Sequence, residues 1–232
     1  MSDDPAGLVA DAMRGLADHL RYHQALGTRE LSLKGEYFAG PEAAIRRLEA
    51  TIAGCTRCKL SRGRNTIVFG SGDPAARLVI IGEGPGEEED RQGKPFVGRA
   101  GQKLTEMLAS VGITRDEVYI CNIVKCRPPG NRNPEPDEIA ACAPFLAGQL
   151  DAIRPGVIAA LGNFAAQTLL RTKEGIGRLR GRVHPYGQSI VIPTFHPAFI
   201  IRNPGIEYRK QAFEDMKLIR REYDRVRGTT GG

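Results

Sequence analysis

The segment LVIIGEGPGEEEDRQGKPFVGRAG, residues 78–101, decides the fold prediction. It begins with a short apolar run, residues 78–81, which is long enough for one buried strand and ends abruptly at the turn residues GEGPG. Phe96 lies further along, after a cluster of acidic residues made up of Glu83, Glu87, Glu88, Glu89 and Asp90. Because ligands of open α/β sheets bind beyond the carboxyl ends of the strands, this loop is predicted to form part of a site.

Three further apolar runs have the length of buried strands, at residues 118–124, 157–161 and 190–194. The intervals between the runs suit helices, because apolar residues recur at helical spacing over residues 102–111 and 136–153, and Asn163 is placed to cap a short helix. A last helix is predicted over residues 206–226. Strands that alternate with helices favour parallel pairing. We therefore predict an α/β fold with three αβα layers around a central, mainly parallel four-stranded sheet.

The length and composition indicate one large domain with an N-terminal extension. The chain has 232 residues, of which 41% are apolar, and this is enough for a full core. Helical spacing over residues 7–25, an aperiodic stretch over 27–40 and a second helix from Pro41 divide the start of the chain. We predict a helical appendage and linker over residues 1–42, the main domain over 43–226, and a disordered tail over 227–232.

Charge and hydropathy limit the functional classes. No apolar run approaches the roughly 18 residues of a membrane helix, and the first residues, MSDDPAG, are acidic where a secretory signal is basic and then apolar. These features predict a cytoplasmic protein. The formal net charge of +6 suits a polyanionic partner, but an excess of this size also serves solubility, so charge alone does not decide.

The five cysteines point to a metal site or to packing, because cytoplasmic proteins rarely contain structural disulfides. Two residues separate Cys55 from Cys58, which lets both sulfurs face one ion, and Cys126 and Cys142 would complete a set of four. Cys121 lies in a strand pattern and is predicted to belong to the core. Zinc and an iron-sulfur cluster both accept four thiolates, and the spacing leaves the choice between them open.

Four loops are predicted to leave the carboxyl ends of the strands at one edge of the sheet. They carry the GEGPG turn, Asn122 with the following KCRPPGNRNP, residues 161–163, and Phe195-His196-Pro197. A dinucleotide-binding turn is disfavoured, because it needs a third glycine and the acidic flank would repel phosphate. A lone histidine usually packs or faces solvent, but the position of His196 on a loop after a strand favours a functional role.

The motifs at these strand ends together resemble one family. They are GEGPGEEED at residues 82–90, GKPFVG at 93–98, Asn122 with KCRPPGNR at 125–132, and FHP at 195–197. In this order they resemble the iron-sulfur uracil-DNA glycosylases of family 4, over roughly residues 43–226. The resemblance implies the uracil-DNA glycosylase-like fold and a base-excision-repair enzyme, one that hydrolyses the N-glycosidic bond of deoxyuridine in DNA, releasing uracil and leaving an abasic site.

The resemblance also implies a cofactor, a [4Fe-4S] cluster on Cys55, Cys58, Cys126 and Cys142 that braces the DNA-facing loops. A covalently trapping relative carries a histidine in the loop where this chain has Asn131. The difference indicates ordinary turnover here.

The family-matched residues suggest how uracil would be bound and released after the nucleotide is flipped out of the duplex. Phe96 would stack on the base, and the Asn122 amide would accept from N3–H and donate to O4, a pattern that cytosine does not match. His196 would donate to O2 of the departing anion, assisted by backbone N–H groups of the Gly82 and Gly84 loop. The expected candidates for positioning the attacking water, with no order among them, are Glu83, Glu89 and Asn131.

Basic residues on the predicted rim are expected to contact DNA phosphates, and they are Lys125, Arg127, Arg132 and Arg202. Phe199, in the segment after His196, is interpreted as a wedge that fills the gap left by the flipped base. The competing interpretation of that segment is an ordinary hydrophobic loop packed into the core.

The expected partner is therefore uracil-containing DNA, double- or single-stranded, bound by a monomer without a membrane or a nucleotide cofactor. A second hypothesis is a noncatalytic iron-sulfur DNA-binding module of the same fold, and a third is a redox protein. A binding module has no need of the combined Glu83, Phe96, Asn122 and His196, which favours the enzyme. No flavin or nicotinamide fingerprint accompanies the cysteines, which disfavours the redox protein.

Overall fold

The computed structural model describes residues 40–228 of the chain. The predicted helix over residues 7–25, almost all of the linker and residues 229–232 of the predicted tail lie outside the described residues. Among those that are described, no helix has the length and apolar character needed to cross a lipid bilayer.

The centre of the fold is a six-stranded sheet with the strand order β1-β3-β2-β4-β6-β5. The four inner strands run parallel, and the short strands β1 and β5 pair antiparallel at the two edges. The strands are β1 Ser71–Gly72, β2 Leu78–Gly82, β3 Tyr119–Asn122, β4 Val157–Leu161, β5 His184–Tyr186 and β6 Ser189–Thr194. The predicted mainly parallel sheet of four strands is thus confirmed, and two edge strands are added to it.

Eight α-helices are found in residues 40–228, and they cover both faces of the sheet. They are α1 Pro41–Ile52, α2 Glu87–Gln92, α3 Arg99–Ala109, α4 Pro136–Ile153, α5 Gly162–Leu170, α6 Ile176–Leu179, α7 Pro197–Arg202 and α8 Ile206–Gly228. The predicted helix over residues 136–153 has the observed bounds. Asn163 does not cap α5 as predicted: the helix starts one residue earlier, and the Asn163 Oδ1 accepts from the Ile176 N–H at 3.0 Å.

Successive residues of each strand point to opposite faces, so the sheet separates two hydrophobic cores. In β2, Val79 and Ile81 pack with α1 and α4, whereas Leu78 and Ile80 pack with α3 and α8. The four inner strands are buried along nearly their whole length, as expected for a parallel sheet covered on both faces. These two cores give the three layers that the sequence predicts.

The acidic stretch after β2 forms a helix and not only a loop. Gly86 precedes α2 in an extended conformation, and the four acidic residues 87–90 fill the first turn, where the helix dipole stabilises negative charge. Gly93 ends the helix with a φ of 71°. Two of these acidic side chains, Glu89 and Asp90, consequently turn inward and are buried.

The strand register brings the carboxyl ends of the inner strands together. Gly82 pairs with Asn122, Ile81 pairs with Ala160, and Leu161 pairs with Thr194. The last residues of β3, β2, β4 and β6 therefore form one row across the sheet. Residues that follow these strands, including His196, emerge at the same edge.

Candidate functional site

Asn122 ends β3 with its side chain buried at this edge, where 2% of the residue is exposed. Its Oδ1 is the one buried side-chain oxygen or nitrogen in the described residues that has no hydrogen-bond partner. Leaving a buried acceptor unpaired costs about 1–3 kcal/mol. A ligand with an N–H donor at this position would remove that cost.

Gly82 and Phe96 border the Asn122 amide. A Cβ at Gly82 would lie 2.4 Å from the Asn122 Oδ1 and 2.6 Å from the Phe96 Cζ, so only glycine leaves room for both groups. Phe96 is nearly buried and has a φ of 53°, which is unusual for a bulky residue and marks a position fixed by its surroundings. The amide and the ring therefore face a shared space at the end of β2.

His196 follows β6 and stands at the N-cap of α7. Its Nδ1 accepts a hydrogen bond from the Ala198 N–H at 3.1 Å, and burial lowers its pKa to about 4, with the nearby positive charge of Arg202 acting in the same direction. The imidazole is therefore neutral at physiological pH, and its proton lies on Nε2. The His196 and Phe96 ring centroids are 5.7 Å apart, so a neutral N–H donor lies beside the aromatic ring.

Glu83 is the carboxylate of this group. Burial raises its pKa to about 7, and the positive charge of Arg202 partly opposes that shift. Within the described residues its side chain makes no hydrogen bond, while its backbone oxygen accepts from the Val124 N–H at 3.1 Å. Gly84, next in the loop, lies against Val124 and Pro128. A partly desolvated carboxyl group that titrates near neutrality is typical of an acid or base in catalysis.

Glu89 does not belong to this group of open side chains. Its Oε1 accepts from the backbone N–H groups of Val97 and Gly98, both at 2.9 Å, and it is almost buried. These bonds fix the peptides that follow Phe96. Glu89 thus holds the Phe96 loop through Oε1, and its role in positioning water stays a prediction.

Asn131 and Arg127 lie together on the loop that follows β3. The Arg127 Nε donates to the Asn131 Oδ1 at 2.8 Å, and its Nη2 lies 3.4 Å from the Glu87 carboxylate. Arg132 is held by the buried Glu138, to which its two terminal nitrogens donate at 2.7 and 2.9 Å. The two arginines remain partly exposed at the surface, but both are tied to acidic residues.

Lys125 corrects a prediction, because its side chain is fully buried and cannot contact DNA phosphates. Its Nζ donates to the Asn122 carbonyl at 2.8 Å and to the Gln149 Oε1 at 2.5 Å. Gln149 in turn donates to the Phe69 carbonyl and the Tyr119 hydroxyl. The lysine therefore links the end of β3 to Gln149 of α4 inside the protein and does not reach solvent.

The segment after His196 divides into a packed part and an exposed part. Phe199 stacks on Phe195 with ring centroids 4.9 Å apart, and the Tyr208 ring lies nearly perpendicular to both, with its centroid 5.6 Å from Phe195 and 5.0 Å from Phe199. This packing agrees with the alternative interpretation of a packed hydrophobic segment, although the segment forms helix α7 and not a loop, and it leaves the wedge without support. Arg202 is exposed and acts electrostatically on Glu83 and His196, so this arginine lies at the site.

The four cysteines predicted as ligands belong to one core: Cys126 and Cys142 are buried in it, and Cys55 and Cys58 are partly buried against it. Burial raises the pKa of Cys126, and Cys58 and Cys55 raise it further. Burial raises the pKa of Cys142 to about 11, with contributions from Cys126 and Cys58. No three His, Cys, Asp or Glu side chains in residues 40–228 are arranged to hold a metal ion. Cys121 is buried in the core as predicted.

Two residues beside these groups are absent from the predicted site residues, although Gly162 belongs to one of the four predicted rim loops, residues 161–163. Gly162, at the start of α5, has a φ of 87° and approaches His196 so closely that a Cβ would lie 2.9 Å from the histidine Cβ. Its place after a strand was the available signal. Arg64 donates from Nη1 to the Cys126 sulfur at 3.3 Å, and no motif marks it. An open depression of about 530 Å³ lies elsewhere, in residues 172–178 beyond the far end of α5.

Comparison with known proteins gives a consistent result. Residues 69–217 match the family model described as the uracil DNA glycosylase superfamily. A type-4 uracil-DNA glycosylase of Thermotoga maritima is 50% identical over 165 residues, which are 70% of this chain and 86% of that protein. Similar proteins of the same name occur in Archaeoglobus fulgidus, 43% identical over 72% of this chain and 87% of the relative, and Sulfurisphaera tokodaii, 41% identical over 76% and 84%.

Proposed function

The chain belongs to the uracil-DNA glycosylase superfamily, within the type-4 enzymes, and from this membership we infer that it removes uracil from DNA by hydrolysis in DNA repair. The reaction breaks the bond between C1′ of the sugar and N1 of uracil. The bonding electron pair leaves with the base, and a water oxygen bonds to C1′. The products are free uracil and an abasic site in the DNA.

The unpaired Asn122 Oδ1 is the observation that carries the assignment of the base pocket. In our proposal this oxygen accepts from uracil N3–H, and the amide nitrogen donates to O4. Cytosine has no N3–H and presents an amino group at C4, so it would leave both Asn122 groups unpaired. Phe96 supplies the stacking surface, and Gly82 leaves the space that the base needs.

His196 is proposed to stabilise the leaving group. Because its Nδ1 already accepts from the Ala198 N–H, its Nε2–H is the group free to donate to uracil O2 as negative charge develops there. Backbone N–H groups of the Gly82–Gly84 loop would assist. One such donor is worth roughly 3–4 kcal/mol in a transition state.

Glu83 is proposed to act on the sugar side of the reaction. Its carboxylate would stabilise the cationic sugar and take the proton released as water adds to C1′. A pKa of about 7 suits a base that works near neutral pH. Asn131 remains a candidate for orienting the water, although its Oδ1 is engaged by Arg127.

A [4Fe-4S] cluster is proposed on Cys55, Cys58, Cys126 and Cys142. The proposal is supported by the shared core position of these thiols and by their mutual effect on pKa, together with the donors that Arg64 and the Lys125 N–H direct at two of the sulfurs. When bound, the cluster would cross-link the segment after α1, helix α4 and the loop after β3, and it would supply no step of the hydrolysis. We therefore assign it a structural role.

The remaining assignments concern the DNA and the wider context. Arg127, Arg132 and Arg202 are the proposed phosphate contacts, and Lys125 is not among them because it is fully buried. We place the catalytic domain at residues 43–226 and propose a monomer that works on DNA in the cytoplasm, at the nucleoid. Residues 1–42 are proposed to be an appendage.

The experiment that tests the function uses an oligonucleotide with one uracil, incubated with excess enzyme and then treated with alkali to cleave abasic sites. We expect strand scission for uracil and none for cytosine at the same position. Binding without scission would instead favour a noncatalytic DNA-binding module.

The cluster is tested separately. The purified protein should be brown and contain equal amounts of iron and acid-labile sulfide. Cys142→Ser should lose both, whereas Cys121→Ala, which changes a core thiol outside the proposed set, should keep both. A colourless protein that contains zinc would contradict the cluster assignment.

A further inference from the structure

A buried ion pair lies beneath the strand that delivers His196. Arg180 follows α6, and Asp215 lies on α8 with 1% of its side chain exposed. The Arg180 Nε and Nη2 donate to the two carboxylate oxygens of Asp215 at 2.9 and 2.7 Å, and Nη2 also donates to the Gln211 carbonyl at 2.5 Å. This two-point contact fixes the orientation of the guanidinium plane.

The ion pair is joined to the end of β6 by a hydrogen bond. The Thr194 hydroxyl donates to the Asp215 Oδ2 at 2.7 Å, and Thr194 is fully buried two residues before His196. The backbone N–H of Gly181 donates to the Pro193 carbonyl at 3.2 Å, beside the same strand end. The backbone that leads into His196 is thus fixed from both α6 and α8.

Arg180 also contacts the residue immediately before His196. Its guanidinium carbon lies 5.0 Å from the centroid of the Phe195 ring, and Phe195 in turn stacks on Phe199 of α7. Both the strand before His196 and the helix after it are therefore linked to Arg180. Among the described residues, neither Arg180 nor Asp215 makes a hydrogen bond to Glu83, Asn122 or His196.

A buried ion pair is weak evidence for a stabilising role, because a hydrophobic pair of the same volume usually stabilises a fold equally well. Directional contacts on both sides of one catalytic side chain are better explained by orientation. We propose that Arg180 and Asp215 are positioning residues that hold the His196 imidazole where its Nε2–H meets uracil O2. This inference rests on the proposed function and extends it to two residues outside the pocket.

The test is a double-mutant cycle on single-turnover uracil release. Arg180→Met with Asp215→Asn removes both charges together, so neither is left buried alone. We expect about a tenfold slower release and an unchanged dissociation constant for uracil-containing DNA. In a His196→Ala background, the same two substitutions should have no further effect on the rate, because the group that they orient is absent.

Arg220→Met with Asp224→Asn is the matched control, since this arginine-aspartate pair lies on the same helix and contacts Gly112 and no residue near His196. It should leave the rate of release unchanged. Thr194→Val, which removes one hydroxyl from the network, should slow release about threefold and gives a second measurement if the paired variant does not fold.

Three results would overturn the inference. One is wild-type release by the paired variant, or by Thr194→Val if the paired variant does not fold. Another is an equal loss of rate with and without His196, because this would indicate a general structural role. An unmodified enzyme that releases no uracil would refute the proposed function itself, and the inference with it.

Discussion

Polar groups lack hydrogen-bond partners in the base pocket, whereas the buried carboxylates around the pocket, which we call the anchors, are hydrogen-bonded. The anchors are Glu89, Asp90 and Glu138, and each accepts at least two hydrogen bonds from its surroundings. In the pocket, the Asn122 Oδ1 has no partner, and the Glu83 side chain makes no hydrogen bond within the described residues. Glu83 of the pocket and the anchor Glu89 differ in this way although both belong to the motif at residues 82–90.

This difference shows what each region is for. An unpaired buried group lowers stability, so its presence in a fold needs an explanation, and a ligand that pairs with the Asn122 Oδ1 supplies one here. The anchors instead fix the loops that carry the pocket: Glu89 holds the Phe96 loop, and Asp90 accepts from Asn65 and Thr66. Substitutions in the pocket should therefore reduce catalysis, and substitutions among the anchors should reduce stability.

The largest effect is expected for His196→Ala. Losing the donor to the leaving group should slow single-turnover uracil release by about 100- to 1,000-fold, with little change in DNA affinity or melting temperature. Quench-flow kinetics with excess enzyme measures the rate, and a gel-shift titration measures the affinity. A variant that releases uracil within threefold of the wild-type rate would remove His196 from the pocket.

Gly82→Ala tests the space between Asn122 and Phe96. The added methyl group would lie 2.4 Å from the Asn122 Oδ1 and 2.6 Å from the Phe96 ring, so the pocket should lose the room for a base. A displacement of about 1 Å in the groups that hold a substrate costs about 100-fold in rate, and we expect a loss of this order. Gly177→Ala is the matched control, because no atom lies within 4 Å of its added methyl group. Equal rates for the two variants would separate Gly82 from the pocket.

The sequence predicts the inner strands and long helices because each has an apolar period that burial requires. The edge strands β1 and β5 have two and three residues, too few for a period to be recognised, and they are missed. Helix α2 is also missed, because its first turn consists of acidic residues that follow a glycine-rich turn and are interpreted from the sequence as part of a loop. Gly93, at the C-cap, is the signal that could have revealed it.

The site shows the same limit. Gly82, Asn122 and His196 are predictable because each ends or closely follows a strand and the register of a parallel sheet aligns the strand ends. The sequence shows charge but not burial, which is why Lys125 resembles a DNA contact although it pairs with Gln149 inside the fold. The Arg180–Asp215 pair joins residues 35 apart in the chain and has no local pattern.

The pH dependence of uracil release sharpens the contrast between the two carboxylates. If Glu83 acts as a carboxylate with a pKa of about 7, release should slow about tenfold between pH 8 and pH 6 as this group is protonated. His196 should not contribute in this range, because its pKa of about 4 keeps it neutral. Glu83→Gln should give a flat profile over the same range. A profile that keeps its slope in this variant would assign the titration to another group.

The smallest expected effect is on the free energy of unfolding, and it compares an anchor carboxylate, Glu89, directly with the pocket carboxylate, Glu83. At pH 8, Glu89→Gln should lower the free energy of unfolding by about 1 kcal/mol, because a neutral oxygen accepts more weakly than a carboxylate from the Val97 and Gly98 N–H groups. Glu83→Gln should cause no loss. The raised pKa of Glu83 means that folding favours its protonated form, so its contribution to stability is present below the ordinary carboxyl pKa and is lost as the pH rises through about 7. Urea titrations of both variants measure these changes. Equal losses of stability would mean that the two carboxylates contribute equally to folding. The distinction between pocket and anchors would then not hold for Glu83 and Glu89.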